Sequence, residues 1–477
     1  MNQRKPFRNA AHFLFQEKLM KKRFFLAFLL FPLFLSFAQA QFDNLADDAS
    51  FQFRTHPRVI VEKDHAEAAV LKVLDGKHVK IVTDLELTPA VKALPKAVDE
   101  AFPQLCDFFG VEDDPDWVLT VFLMKNNLKF IEANYLPDIL PPFQNGFSYN
   151  YDCWVYDQPS DYYRQHLILH EMVHSFSTTR IGKAGPNWFA EMLAESLGMH
   201  DFSTSPIRLG FMPPNKQAVP HCGRIKEIHD AIARGEARTI DRILLATKED
   251  FLDNSVYYWC WALGWFLEHN PNTHDELHSL IPTLKTTNTF EEFTAAFLKS
   301  IEPKRELIEK QWLMYVASLD YDYALKPMLF DAEAGEPLGE KTVQKLKVNA
   351  GWQNTKIHVK KGEKIRIRAK GKFDLYRSEE ESWPCEQNGV TIEYLNGQPL
   401  GILQAVILTD AEKMTPALMN DRQPGTFYTP IAVGTSRTFT APFDGTILLR
   451  LNVEPKKLPK CQGEMAVEIK ESQGSAD

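Results

Sequence analysis

The chain has 477 residues, enough for two or three domains that each bury a core. Hydrophobic residues make up 44% and charged residues 25%, a balance that excludes both a disordered chain and a coiled coil. The formal net charge of -9 gives no general surface for a polyanion, so nucleic acid is not an expected partner.

The N-terminus carries "MKKRFFLAFLLFPLFLSFAQA" from Met20 to Ala40. Lys21, Lys22 and Arg23 make a basic start, Phe24 to Phe37 an apolar centre, and Ala38-Gln39-Ala40 a small-x-small end. This is the pattern of a secretory signal, with cleavage leaving Gln41 first and the protein secreted or periplasmic. The apolar centre is short and interrupted by Pro32, a poor membrane span, and no later stretch approaches one, so no stable membrane anchor is expected. The residues before Met20 fit no part of a signal, which leaves Met1 and Met20 open as the start. Export makes disulfides available. Cys385 and Cys461 are the first pair expected to bond, while Cys106, Cys153, Cys222 and Cys260 leave three pairings open.

Beyond the signal, "RVIVEKD" (58–64) and "HVKIVTD" (78–84) have the short apolar alternation of strands. "PAVKALPKAVDEAFPQLCDFFG" is helical in spacing and stops at Gly110, and "DWVLTVFLM" is a strand rich in Val, Leu and Phe. "GFSYNYDCWVYD" (146–157) predicts one or two strands just ahead of "HLILHEMVHSF". Helical patterns then dominate from Pro206 to Leu319, in "GRIKEIHDAIARG", "VYYWCWALGWFLEHNP" and "FEEFTAAFLKSIEPKRELIEKQWLMYVASL". From about Lys341 the period changes to two, as where Ile447, Leu449, Leu451 and Val453 alternate with Arg450 and Asn452. The basic run "KKGEKIRIRAKGK" (360–372) belongs to this region and reads as the solvated face of a strand. The linker is expected in "DAEAGEPLGEK", Asp331 to Lys341.

His170, Glu171 and His174 form HExxH, in which four residues of helix bring two imidazoles to one face. Flanking Leu167, Leu169, Met172, Val173 and Phe176 bury that helix, and buried imidazoles beside a carboxylate call for compensation that a zinc ion supplies. A third ligand must then come from elsewhere. "GPNWFAEMLAESLG" (185–198) offers Glu191 and Glu195 on one helical face. Glu191 is assigned as ligand and Glu195 as the partner of a ligand histidine's free nitrogen, with the reverse assignment open. His200 and Asp201, past the helix stop, are rivals for the third position. His166 falls one turn before His170 and is placed outside the ligand set, because imidazoles at i, i+4 and i+8 cannot converge on one ion. Glu171 is the expected general base, and Tyr257, Tyr258 and the histidines are candidate donors to an oxyanion, with Tyr257 singled out. No GxSxG, P-loop, dinucleotide-binding glycine pattern or EF-hand loop is present.

"HEMVHSF" followed by "GPNWFAEMLAES" resembles the gluzincins, specifically the peptidase MA-like group of exported bacterial proteins. Their usual text after HExxH is W-x-x-E-G-x-A-E, which Trp188, Glu191, Ala194 and Glu195 match, with Met192 in place of the glycine. The resemblance implies a zincin fold, one zinc per chain, and an edge strand that pairs with an extended peptide or protein substrate. Gly146, Phe147, Ser148 and Tyr149 are placed as that strand. The stretch from Gly351 to Ile469 resembles a galactophilic-lectin type β-sandwich. The lectins' Asp and Asn calcium ligands fall where this chain reads "PKKLPKCQGE", which speaks against calcium-dependent sugar binding.

The expected fold is therefore α+β: an extension and signal over 1–40, a zincin-like metallopeptidase domain with a small mixed sheet plus helices over 41–330, and an all-β sandwich over 341–477. The expected function is that of a secreted zinc metallopeptidase. The alternative is a carbohydrate or cell-surface binding protein whose zincin scaffold is catalytically silent.

Overall fold

The computed structural model describes residues 57–472 except 139, 253–254 and 378–381, so the expected signal at 20–40 lies outside the described residues. The first sheet contains β1 (Lys72–Asp75), β2 (Val79–Thr83), β3 (Leu119–Met124), β4 (Gly146–Tyr149) and β5 (Asp152–Tyr156), in the order β1-β2-β3-β5-β4. β2, β3 and β5 are parallel, and β1 and β4 close the two edges as antiparallel strands. β3 is buried at every position, which is why its sequence is an unbroken apolar run rather than an alternation.

The strand expected at Arg58 to Asp64 is not formed. That segment is held by side-chain contacts, Val59 N–H donating to Asp152 Oδ2 at 2.9 Å, and it leads into a short helix at Lys63–Ala68. The strand beside β2 is the later "KVLD".

Helix α1 (Pro89–Phe109) covers the sheet with the stripe Val91, Leu94, Val98, Phe102, Leu105 and Phe109. Thr88 caps its start by accepting from Val91 N–H, Pro89 occupies a position with no donor to satisfy, and Gly110 ends it in the left-handed region at φ 62°. Next come α2 (Asp161–Phe176), α3 (Asn187–Gly198), α4 (Arg224–Ala233), α5 (Ser255–His269), α6 (His274–Leu280), α7 (Phe290–Ile301) and α8 (Arg305–Ser318). The last two divide one apolar-periodic stretch at Glu302–Lys304, where Pro303 interrupts the hydrogen-bond ladder. Trp188 of α3 is 2% exposed and donates its indole N–H to Thr294 of α7 at 2.9 Å, anchoring α3 in the helical layer.

Among the described residues the C-terminal portion forms a two-stranded sheet and two larger ones. One has β9 (Asn388–Leu395), β10 (Gln398–Thr409), β12 (Gly445–Leu451) and β7 (Gln353–Val359) in that order, and the other has β11 (Ser436–Thr440), β8 (Lys364–Lys370), β13 (Glu464–Glu471) and β6 (Thr342–Lys347). Their apolar residues, such as Ile365, Ile367, Val467, Leu403, Ala405 and Ile447, belong to one core that continues into the helices. The stretch expected as linker is partly built into this portion, since Glu336–Pro337 pairs with Ile357 and His358 on the edge of β7. Arg450 and Asn452, polar in the alternation of β12, are buried. Arg450 lies 4.8 Å over the Trp352 ring and donates to Gln404 Oε1, on a face covered by the chain near Met328.

The expected Cys385 to Cys461 disulfide is a correction. Both are free thiols, Cys385 facing the carbonyl of Glu386 and Cys461 that of Leu375. The strand Phe373–Arg377 runs between them, paired with Cys385 on one side and through Asp374 with Gln462 on the other. Cys106, Cys153, Cys222 and Cys260 are also free and buried.

Candidate metal centre

α2 begins at Ser160, whose hydroxyl accepts from Tyr163 N–H, and carries Asp161 in its first turn, both favourable at a helix N-terminus. The chain leaves α2 through the wide turn Ser177–Ile181, reverses at Gly182 with φ 92°, and returns as α3. That reversal brings Glu191 back to the histidines. Glu191 Oε2 lies 3.3 Å from His170 Nε2 and 3.6 Å from His174 Nε2, and the two Nε2 atoms are 3.2 Å apart.

Glu195, one turn further along α3, places Oε1 3.5 Å from His170 Nδ1, the nitrogen turned away from that cluster. His166 is 1% exposed, with Nε2 4.0 Å from Glu195 Oε2. Burial, reinforced by the positive charge of Arg224, pushes its pKa well below the usual histidine range. His200 is turned elsewhere: its Nδ1 meets Gly198 O at 2.9 Å and its ring stacks on Tyr162. Asp201 is taken up by Ser203.

Sequence reasoning missed Arg224, the first residue of α4. Its guanidinium grips Glu195 with both arms, Nε to Oε2 at 2.6 Å and Nη2 to Oε1 at 2.8 Å. No local pattern marked it, because "GRIKEIHDAIARG" reads only as an amphipathic helix start. Met192 lies at a close crossing of α3 and α5. A β-carbon on Gly264 of α5 would stand 2.9 Å from Met192 Cγ and 2.8 Å from Ser196 Oγ, so the glycine that permits close packing here sits on the opposing helix.

Glu171 is buried against β4. Its carboxyl is hydrogen-bonded to Ser148, and a β-carbon on Gly146 would collide with its Oε1. Burial raises the Glu171 pKa against the opposing pull of His170 and His174. Of the four residues placed on the substrate strand, Gly146 and Ser148 thus face Glu171. Phe147 and Tyr149 point to the other side of the sheet, where they pack on the cluster containing Phe122, Phe130 and Trp154. The outer edge of β4 carries no further strand among the described residues.

Tyr257 stands in the first turn of α5 with its ring against Phe251 at 5.6 Å. Burial and then the negative charges of Glu191 and Glu195 push its phenol well above the usual tyrosine range, so it is a protonated donor. The ring of Tyr258 lies instead against Trp259.

The donor set fits zinc. Ligands 2.0–2.1 Å from a tetrahedral ion are about 3.3 Å from one another, and the three separations here are 3.2, 3.3 and 3.6 Å. Glu191 Oε2, the carboxylate oxygen of the cluster, is buried without a hydrogen-bond partner. Burial alone would lower the His170 pKa, but Glu191, Glu171 and Glu195 together outweigh burial and raise it to about 9. The same histidines push Glu191 below the carboxylate range, against its burial. One donor atom from each of these three residues lies close enough to the other two to share a metal ion.

Among the described residues no helix is long and apolar enough to cross a membrane. No protein-family model matches the chain. No curated protein matches it either. Among solved structures it is similar to an aminopeptidase N family protein from Idiomarina loihiensis, with 12% identity and a TM-score of 0.28 over 82% of this chain and 70% of that one. It is also similar to the EclA N-terminal domain, a PllA-like lectin, with 20% identity and a TM-score of 0.20 over 28% of this chain and 98% of that one. At those scores neither likeness carries an argument, and the functional reading rests on the site itself.

Proposed function

We propose that this chain is an exported zinc-dependent peptidase of the gluzincin type. The observation that carries the reading is the convergence of His170 Nε2, His174 Nε2 and Glu191 Oε2 beside a buried Glu171 that lies under an open strand edge. His170, His174 and Glu191 would hold the metal, and zinc bound there supplies Lewis-acid polarisation of a water and a substrate carbonyl. Glu195, fixed by Arg224, orients the His170 ring through Nδ1 and leaves its Nε2 lone pair for the metal.

The outer edge of β4 offers backbone N–H and C=O groups to an extended peptide, and Gly146 lets that backbone lie close to Glu171. Glu171 takes a proton from water as the water oxygen bonds to the peptide carbonyl carbon. It returns that proton to the amide nitrogen as the C–N bond breaks. The Tyr257 phenol donates a hydrogen bond to the carbonyl oxygen as negative charge gathers on it. The C-terminal sheets serve as an accessory surface for a glycan or cell-surface contact.

The test is Glu171→Gln beside the unmutated protein. Zinc near one per chain at this centre is expected in both, with hydrolysis of casein or a peptide library in the unmutated protein alone. Unmutated protein that binds no zinc overturns the reading. Zinc without turnover in either form favours the alternative, a binding protein on a silent scaffold.

A further inference from the structure

A second cluster of metal-ligating side chains lies outside this centre, in the sequence "EHNPNTHDELH" (268–278). Glu268 stands in the last turn of α5, and His274 and His278 stand one turn apart on α6. His278 Nε2 is 2.9 Å from Glu268 Oε2 and His274 Nε2 is 3.6 Å from Glu268 Oε1, with the two imidazole centroids 4.6 Å apart. One donor atom from each of the three lies within 4.8 Å of the other two. Two imidazoles and a carboxylate are a donor set for zinc and neighbouring divalent transition metals rather than for calcium or magnesium.

Two features separate this cluster from a surface ion pair. His274 Nδ1 lies 3.1 Å from Asp275 Oδ1, a carboxylate that would hold the proton on Nδ1 and free Nε2 for a metal shared with Glu268. The turn that sets α6 against the end of α5 is also rigidly held. Asn270 and Thr273 are fully buried, Thr273 donates to Leu267 O at 2.7 Å, and Asn270 donates to Gln311 Oε1 at 2.9 Å. The ligand-bearing elements are therefore positioned before any metal arrives. The side chains are about a third to a half exposed, so an ion can enter from solvent.

We propose that Glu268, His274 and His278 form a second divalent-metal site of the zinc class, which clamps α6 to the C-terminal end of α5. Glu268 stands eleven residues from Tyr257 on the same helix, about 16 Å along its axis, so the two centres are separate. The proposal does not depend on the peptidase reading.

The test uses the full chain carrying His170→Ala and His174→Ala, titrated with zinc by calorimetry and by competition with a chromophoric chelator. One equivalent is expected to remain, and adding His278→Ala or Glu268→Gln is expected to abolish it or weaken it by tenfold or more. In the chain with His170 and His174 intact, His274→Ala, a change at a half-exposed position, is expected to lower the zinc content by one equivalent. Retained zinc content on His274→Ala, or a His170→Ala and His174→Ala chain that folds and binds no zinc, overturns the proposal. Loss of the first centre is read separately, as the equivalent removed by His170→Ala and His174→Ala.

Discussion

Arg224→Met separates what holds the proposed metal centre together from what merely fills it. Glu195 is 3% exposed and Arg224 15% exposed at the side chain, and the pair is bidentate at 2.6 and 2.8 Å. Removing the guanidinium leaves a buried carboxylate facing His166 and His170, and breaking such a pair from one side costs about 3–5 kcal/mol. Glu195 also loses its orientation at His170 Nδ1, 3.5 Å away, and loss of such an outer partner weakens metal binding about tenfold to a hundredfold.

The double variant Arg224→Met with Glu195→Leu removes both charges together. Its stability should return to that of the unmutated protein or above it, as when buried ion pairs are replaced by apolar residues. Its zinc affinity should stay low, because no carboxylate faces His170 Nδ1. Stability is measured by urea unfolding of metal-free protein and affinity by competition with a chromophoric chelator. A double variant that regains full zinc affinity would show that Glu195 serves only to neutralise Arg224. A loss below about 1 kcal/mol in Arg224→Met would show that the pair is as weak as an exposed one.

Gly146→Ala should drive the Glu171 carboxyl from its place and lower kcat about a hundredfold, with zinc content unchanged by metal analysis; equal kcat would mean that β4 does not position the base. Met192→Gly opens a cavity and Gly264→Met overfills the crossing of α3 and α5, so each alone should destabilise, by about 1–3 kcal/mol for the overpacked one. Their combination should recover part of the loss, and a double-mutant cycle by urea unfolding with no coupling would contradict the contact. Trp188→Ala should cost about 3–5 kcal/mol in the same assay, since it empties a buried site and leaves Thr294 without its donor.

The pattern of the chain determined elements, because helix and strand periods are local. Four residues of helix put His170 and His174 on one face wherever α2 finally packs, and the same spacing put Glu191 and Glu195 on one face of α3. Gly110 marked the end of α1 through bonds that span three or four residues, while the cap at Thr88 was seen only in the structure. "GFSYNYDCWVYD" contained β4 and β5, and alternation marked β8 and β12 of the C-terminal sheets. Local pattern failed at Arg58 to Asp64, where the alternation is real but the ladder partner is absent.

Tertiary structure decided the distances between elements, which depend on residues far apart in the chain. Which glutamate meets both Nε2 atoms followed from the crossing of α2 and α3, and that crossing is set by Gly182, Trp188 and the approach of Gly264 to Met192. Arg224 reached Glu195 only because α4 docks on α5, which also packs against α3, and Phe147 and Tyr149 were turned away from the site by the pleat of β4. The burial of Arg450 and the separation of Cys385 from Cys461 were settled in the same way, by a covering segment and an intervening strand. Periodicity specifies which side of an element a residue occupies, and only packing specifies what that side meets.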